Sequence, residues 1–83
     1  MRRLGIDTRE LAHPEPLEMA IKILQQLGDD TYLYMLHSKN PIPLLDLAQE
    51  HGYHTLSQEN KVGDWQIIIT SNSTVNLKDL LGV

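Results

Sequence analysis

The sequence predicts an α+β fold: a two-layer α/β sandwich in the order β-α-β-α-β-β, with two helices on one face of a four-stranded mixed sheet. Three observations carry that expectation. Leu17, Ala20, Ile21, Leu24 and Leu27 recur at the spacing of one helix face. Thr31 to His37 (Thr-Tyr-Leu-Tyr-Met-Leu-His) is apolar or aromatic on both faces, as a central strand must be. Asn60-Lys61-Val62-Gly63 separates two short β-forming runs as a hairpin turn would.

Taken in order, Arg3 to Thr8 forms a first strand with Leu4 and Ile6 on one face. Leu11-Ala12-His13-Pro14-Glu15-Pro16 is a rigid turn into a helix over Pro14 to Leu27. Proline is tolerated there because the first N–H groups of a helix have no intrahelical acceptor. Glu18 precedes Lys22 by one turn on the outer face, and Gly28 is expected to close the helix. The central strand comes next, then a loop at Ser38-Lys39-Asn40-Pro41 and a short helix over Pro43 to His51, ended by Gly52. Tyr53 to Glu59 and Asp64 to Thr70 are the hairpin strands, and Ser71 to Val83 is a tail, either a short helix or disordered.

Chain size and composition exclude several function classes. Eighty-three residues suffice for one small domain, without an interdomain cleft. There is no cysteine, so disulfides, thiolate metal sites and cysteine nucleophiles are absent from these residues. A net charge of −4 with no basic stripe disfavours nucleic acid. The basic start lacks the apolar run of a secretory signal, and the longest such run, Ile67-Ile68-Ile69, cannot span a membrane. A cytoplasmic protein with no membrane partner is the expectation, and no cofactor is specified by the composition.

Right-handed crossovers make the first two strands parallel, so their carboxyl ends and both helix N-termini share one edge of the molecule. That edge carries His13, Glu15, His37, Ser38, Lys39 and Asn40. His13 is either a solvated loop residue or a ligand for a metal, haem or an anion, the last favoured by the exposed N–H groups of the helix it precedes. With His37, and Glu15 as a third donor, it would make a sparse metal site. A phosphoryl-carrier role for His13 is disfavoured by Glu10 and Glu15, which would repel the group. His51 and His54 belong to the opposite end of the sheet, about 15–20 Å away, so the four histidines cannot share one ion. Glu10, Glu15 and Glu18 read as a solvated acidic face, and Lys39 and Asn40 either hold a small anion or merely turn the chain.

Leu33, Met35, Ile67 and Ile69 are assigned to the helix-covered face of the sheet. Tyr32, Tyr34, Leu36 and Ile68 then fall on the other face, with Trp65 near its end. An exposed apolar and aromatic face is either a surface for a protein partner or a seat for Leu77, Leu80 and Leu81 of the tail.

Asp7, Arg9 and Leu11 ahead of Pro14-x-Pro16, Gly28-Asp29 before the second strand, Pro41 in the turn, and Gly52-Tyr53 after the second helix together resemble the TusA/SirA-like superfamily of small sulfur-carrier proteins. The likeness runs over about residues 4 to 70. More narrowly, Arg9-Glu10-Leu11-x-x-Pro14-Glu15-Pro16-Leu17-Glu18 and Asn40-Pro41-x-Pro43-Leu44 are similar to an uncharacterised bacterial subgroup lacking the carrier cysteine, a domain of unknown function found alone or beside hemerythrin-like domains. The resemblance implies one TusA-like domain over residues 1–70, a tail over 71–83, and a bacterial redox or sulfur setting.

In the carriers a cysteine directly precedes Pro-x-Pro and bears the persulfide. Here that position is His13, and imidazole cannot form a persulfide S–S bond. The family's glycine after the arginine is Glu10. The fold carries over and the mechanism does not. The expectation is therefore a non-catalytic module, not a persulfide carrier, that binds a partner protein or a small ligand at His13, Glu15, His37 and Lys39. A metal- or haem-binding module at the His13/His37 edge and a docking accessory in sulfur transfer are the alternatives.

Overall fold

The computed structural model describes residues 1–81. Six regular elements run in order: β1 (Arg2–Asp7), α1 (Glu15–Leu24), β2 (Thr31–His37), α2 (Ile42–Glu50), β3 (His54–Glu59) and β4 (Trp65–Thr70). The strands form one sheet in the order β1-β2-β4-β3, with β1 and β2 parallel and the other neighbours antiparallel. This is the expected α+β sandwich.

The core lies between the sheet and the helices. Register brings Leu33 opposite Ile69 and Met35 opposite Ile67, and these four are sealed by Ala20 and Leu24 of α1 with Leu44, Leu45 and Ala48 of α2. Burying each such aliphatic side chain contributes about 1.5–3 kcal/mol, which is what fixes the helices to this face. Tyr53 locks the two helices' far ends together, its hydroxyl donating to the Leu24 carbonyl at 2.9 Å.

The helix ends differ in their chemistry. At α2, Gly52 takes a φ of 84°, its N–H bonds the Gln49 carbonyl, and the Tyr53 N–H reaches back to Ala48. That is a left-handed cap made possible by a residue without Cβ. At α1, Gly28 stays outside the positive-φ region. The chain instead tightens through Gln26 N–H to Ile23 O and Leu27 N–H to Leu24 O. Thr31 then closes the turn, its hydroxyl accepting from the Gly28 N–H and donating to the Gly28 carbonyl. A threonine therefore ends α1 where the sequence pattern predicts a glycine cap.

The second sheet face corrects two expectations. Val75, Leu77, Leu80 and Leu81 of the tail are half-buried, and a 3-10 helix over Leu77–Leu81 lies against β3 and β4. Asn72 anchors the tail to the Asp29 carbonyl at 2.9 Å, and the Arg3 guanidinium donates to the Leu80 carbonyl at 3.1 Å. Beneath it Ile68 is 0% exposed and Tyr32 6%. Neither is available as a partner surface: the tail lies on the β3–β4 half of that face, and the Arg3 side chain lies against Tyr32. Tyr34 is half-buried with its ring 4.2 Å from the Arg3 guanidinium carbon and its hydroxyl bonded to Gln66. Trp65 does not belong to this face: it shares the side of Ile67 and packs against the helix-covered core. Of the tail, Gly82 and Val83 lie outside the described residues.

Candidate functional site

At the carboxyl ends of β1 and β2 the chain leaves the sheet twice, and the two exits enclose a cleft of about 440 Å³. Its floor is apolar, made by Leu11, Leu17, Met35 and Leu44, with Pro16, Pro41 and Pro43 framing it. The polar groups on it are His13, His37, Ser38, Lys39 and Asn40, and no Asp or Glu is among its lining residues. Such a volume and balance are ordinary for a small-molecule pocket.

The position of His37 is set by Thr8, a residue whose sequence context marks it only as a strand end. Thr8, 0% exposed, comes directly after β1 and bonds β2 twice: its N–H to the Leu36 carbonyl at 2.9 Å, and its hydroxyl to the same oxygen at 3.1 Å. One assignment makes all three contacts hydrogen bonds: the hydroxyl gives its proton to Leu36 and accepts from His37 Nδ1, 2.9 Å away, and the Thr8 carbonyl, at 3.3 Å, accepts from the same nitrogen. Nδ1 therefore carries the ring proton in the neutral imidazole, and Nε2 keeps the lone pair. On the other wall, Asn40 Oδ1 accepts from the Ser57 hydroxyl at 2.6 Å, so its Nδ2 donors remain for the cleft.

Beside the cleft, Asp7, Arg9, Glu10 and Leu11 line a second depression, with Leu11 common to both. Arg9 clamps Asp7 in bidentate fashion, with Nη2 to Oδ2 at 2.7 Å and Nε to Oδ1 at 3.0 Å, and reaches Asp64 Oδ2 at 3.1 Å. The motif pair Asp7 and Arg9 thus ties β1 to the start of β4 across the sheet edge. The Arg9 side-chain bonds and its backbone N–H hold the Asp7 carboxyl below its ordinary range, and the two carboxylates hold the guanidinium's proton more firmly than usual. In the sequence, Asp64 is legible only as the opening of a strand.

Of the predicted ligand residues, the structure brings His13, His37 and Lys39 to the cleft. Glu15 points elsewhere: it is exposed on the first turn of α1 and lines no part of the cleft. Among the described residues no three His, Cys, Asp or Glu side chains come together to hold a metal ion, so the His13, Glu15, His37 ligand set is not formed. His51 and His54 are exposed at the far end, as expected. The exposed helix N–H groups expected to favour an anion are also depleted. Pro16 and Pro43 have none, and those of Glu15 and Ile42 are bonded to the Ala12 and Asn40 carbonyls. Of each helix's first turn only the N–H of Leu17 and of Leu44, both lining the cleft, stays without a backbone acceptor, so polar recognition there falls to these two groups and to side chains.

A family model described as an uncharacterized conserved protein (DUF2249) matches residues 5–71. The chain belongs to that family. The match runs from the second half of β1 through β4 and takes in the whole cleft. In fold, this DUF2249 domain is similar to the crystal structure of a SirA-like protein from Desulfitobacterium hafniense, with a TM-score of 0.71 and 26% identity over 83% of this chain and 97% of that one. No curated protein sequence matches the domain. No helix among its described residues is long and apolar enough to cross a membrane.

Proposed function

We propose that this DUF2249 domain is a non-catalytic binding module whose ligand seat is the cleft at the carboxyl ends of β1 and β2. The single observation that carries the reading is an apolar cavity of about 440 Å³ walled by His13, His37, Lys39 and Asn40. The alternative seat, the helix-free sheet face, is occupied by the chain's own tail, which favours a small ligand over a protein partner there. A metal- or haem-binding role rests on His13 and His37 without a third donor, and a docking role in sulfur transfer rests on the family likeness alone. The setting we infer is cytoplasmic and bacterial.

The test is a thermal-shift panel of small organic molecules on the full chain and on Ala12→Trp. Ala12 is exposed and lines the cleft, so an indole there fills the cavity without disturbing the core. Stabilising compounds that lose their effect on Ala12→Trp support the seat. A panel whose hits are indifferent to that change contradicts it.

A further inference from the structure

The polar walls of the cleft specify more than its size does, and the choice of ligand class rests on the cleft being the binding seat. A side chain that accepts and side chains that only donate stand around one apolar floor. His37 lines the cleft with its Nδ1 edge committed to Thr8, so Nε2 is the ring nitrogen left to a ligand, and it offers a lone pair. Lys39 offers an ammonium, and Asn40, its Oδ1 bound to Ser57, offers N–H donors. In a chain of net charge −4, no carboxylate faces this volume. A cationic ligand would find no counter-charge, and a wholly apolar one would leave the donors and the lone pair without partners.

We infer that the cleft takes a small organic carboxylate with an apolar body, bound together with one proton from solvent that settles on His37 Nε2, so that one carboxylate oxygen accepts from Nε2–H and the other from Lys39 and Asn40. The pairing is complementary atom by atom. A carboxylate presents two acceptor oxygens on a single carbon, matching the Nε2–H of the imidazole that has gained a proton and the ammonium. The proton taken up from solvent lies between the carboxylate oxygen and Nε2 while Nδ1–H stays on Thr8. The apolar body lies on Leu11, Leu17, Met35 and Leu44, and an eight-carbon chain suits a cavity of about 440 Å³.

Three probes with the same body and different heads decide it: octanoate, 1-octanol and octylammonium, titrated into the full chain by calorimetry and amide NMR. Octanoate is expected to bind about tenfold or more tighter than octanol, the worth of one charge-assisted hydrogen bond. Octylammonium is expected to bind weakest. Lys39→Gln, a change at an exposed residue, should bring octanoate down to the affinity of octanol. The imidazole nitrogens give an independent signature: on adding octanoate the His37 Nε2 resonance should move from that of a bare lone pair toward that of an N–H, with Nδ1 little changed. Octanol binding in the cleft as tightly as octanoate, or an Nε2 resonance that does not move, overturns the acid assignment while the cleft remains a binding seat. If none of the three shifts any cleft residue, both the acid assignment and the seat fail together.

Discussion

Thr8 is the residue on which the site's chemistry turns, since it orients His37 and chooses its tautomer. Replacing it by valine keeps the shape and removes the hydroxyl that serves both Leu36 and His37. Thr8→Val should lower stability by about 1–2 kcal/mol in urea unfolding. It should also let the His37 ring populate both tautomers, visible in its nitrogen spectrum. Nothing in the sequence sets Thr8 apart, because a threonine at a strand end is ordinary and its burial comes only when β2 lies alongside. The neighbouring Asp7 gives a pH dependence with a definite sign. Its folded pKa is depressed from 3.8 by Arg9, so the stabilisation is present above the unfolded value and lost as pH falls through the lower folded one. Thermal midpoints of the native chain should therefore fall below about pH 4, and Asp7→Asn should flatten that acid limb.

At the level of elements, periodicity makes the strands and helices legible while their ends depend on contacts it does not encode. The alternation that buries Ile67 and Ile69 places Trp65 with them, and assigning it to the side of Ile68 breaks that period. The two glycines after the helices look alike in the sequence, yet only Gly52 is left-handed, because α2 is closed by backbone bonds through Gly52 and Tyr53 while α1 is closed by Thr31. Their substitutions should separate accordingly. Gly52→Ala should cost about 1–2 kcal/mol from positive φ alone. Gly28→Ala meets only the end of the Asp30 side chain at 3.3 Å, which can swing aside, and should cost little. Paired denaturation curves check both. Of the candidate site, the edge and three of its ligand residues are legible because topology alone brings them together. Glu15 is not, because the turn of α1 carries it away from the cleft.

For the whole molecule, the sheet has helices on one face and its own tail against β3 and β4 on the other, with the cleft opening at the carboxyl ends of β1 and β2. Coverage of the second face is testable within the intact chain. Ile68→Ala should cost about 2–5 kcal/mol, as for a core aliphatic, whereas a side chain on an open face would cost far less. Where the cysteine of the sulfur carriers this domain resembles would stand, His13 borders an apolar cavity, the seat we propose for a small molecule.

The central claim, that the cleft is the binding seat, is met most directly by amide NMR of the labelled full chain titrated with octanoate and with octanol. Saturable shifts confined to residues 11–17 and 35–44 are expected, with Leu56, Ile68 and the tail unmoved. Shifts centred on Leu56, Ile68 and the tail, with residues 11–17 silent, would contradict it and return the helix-free sheet face as the functional surface.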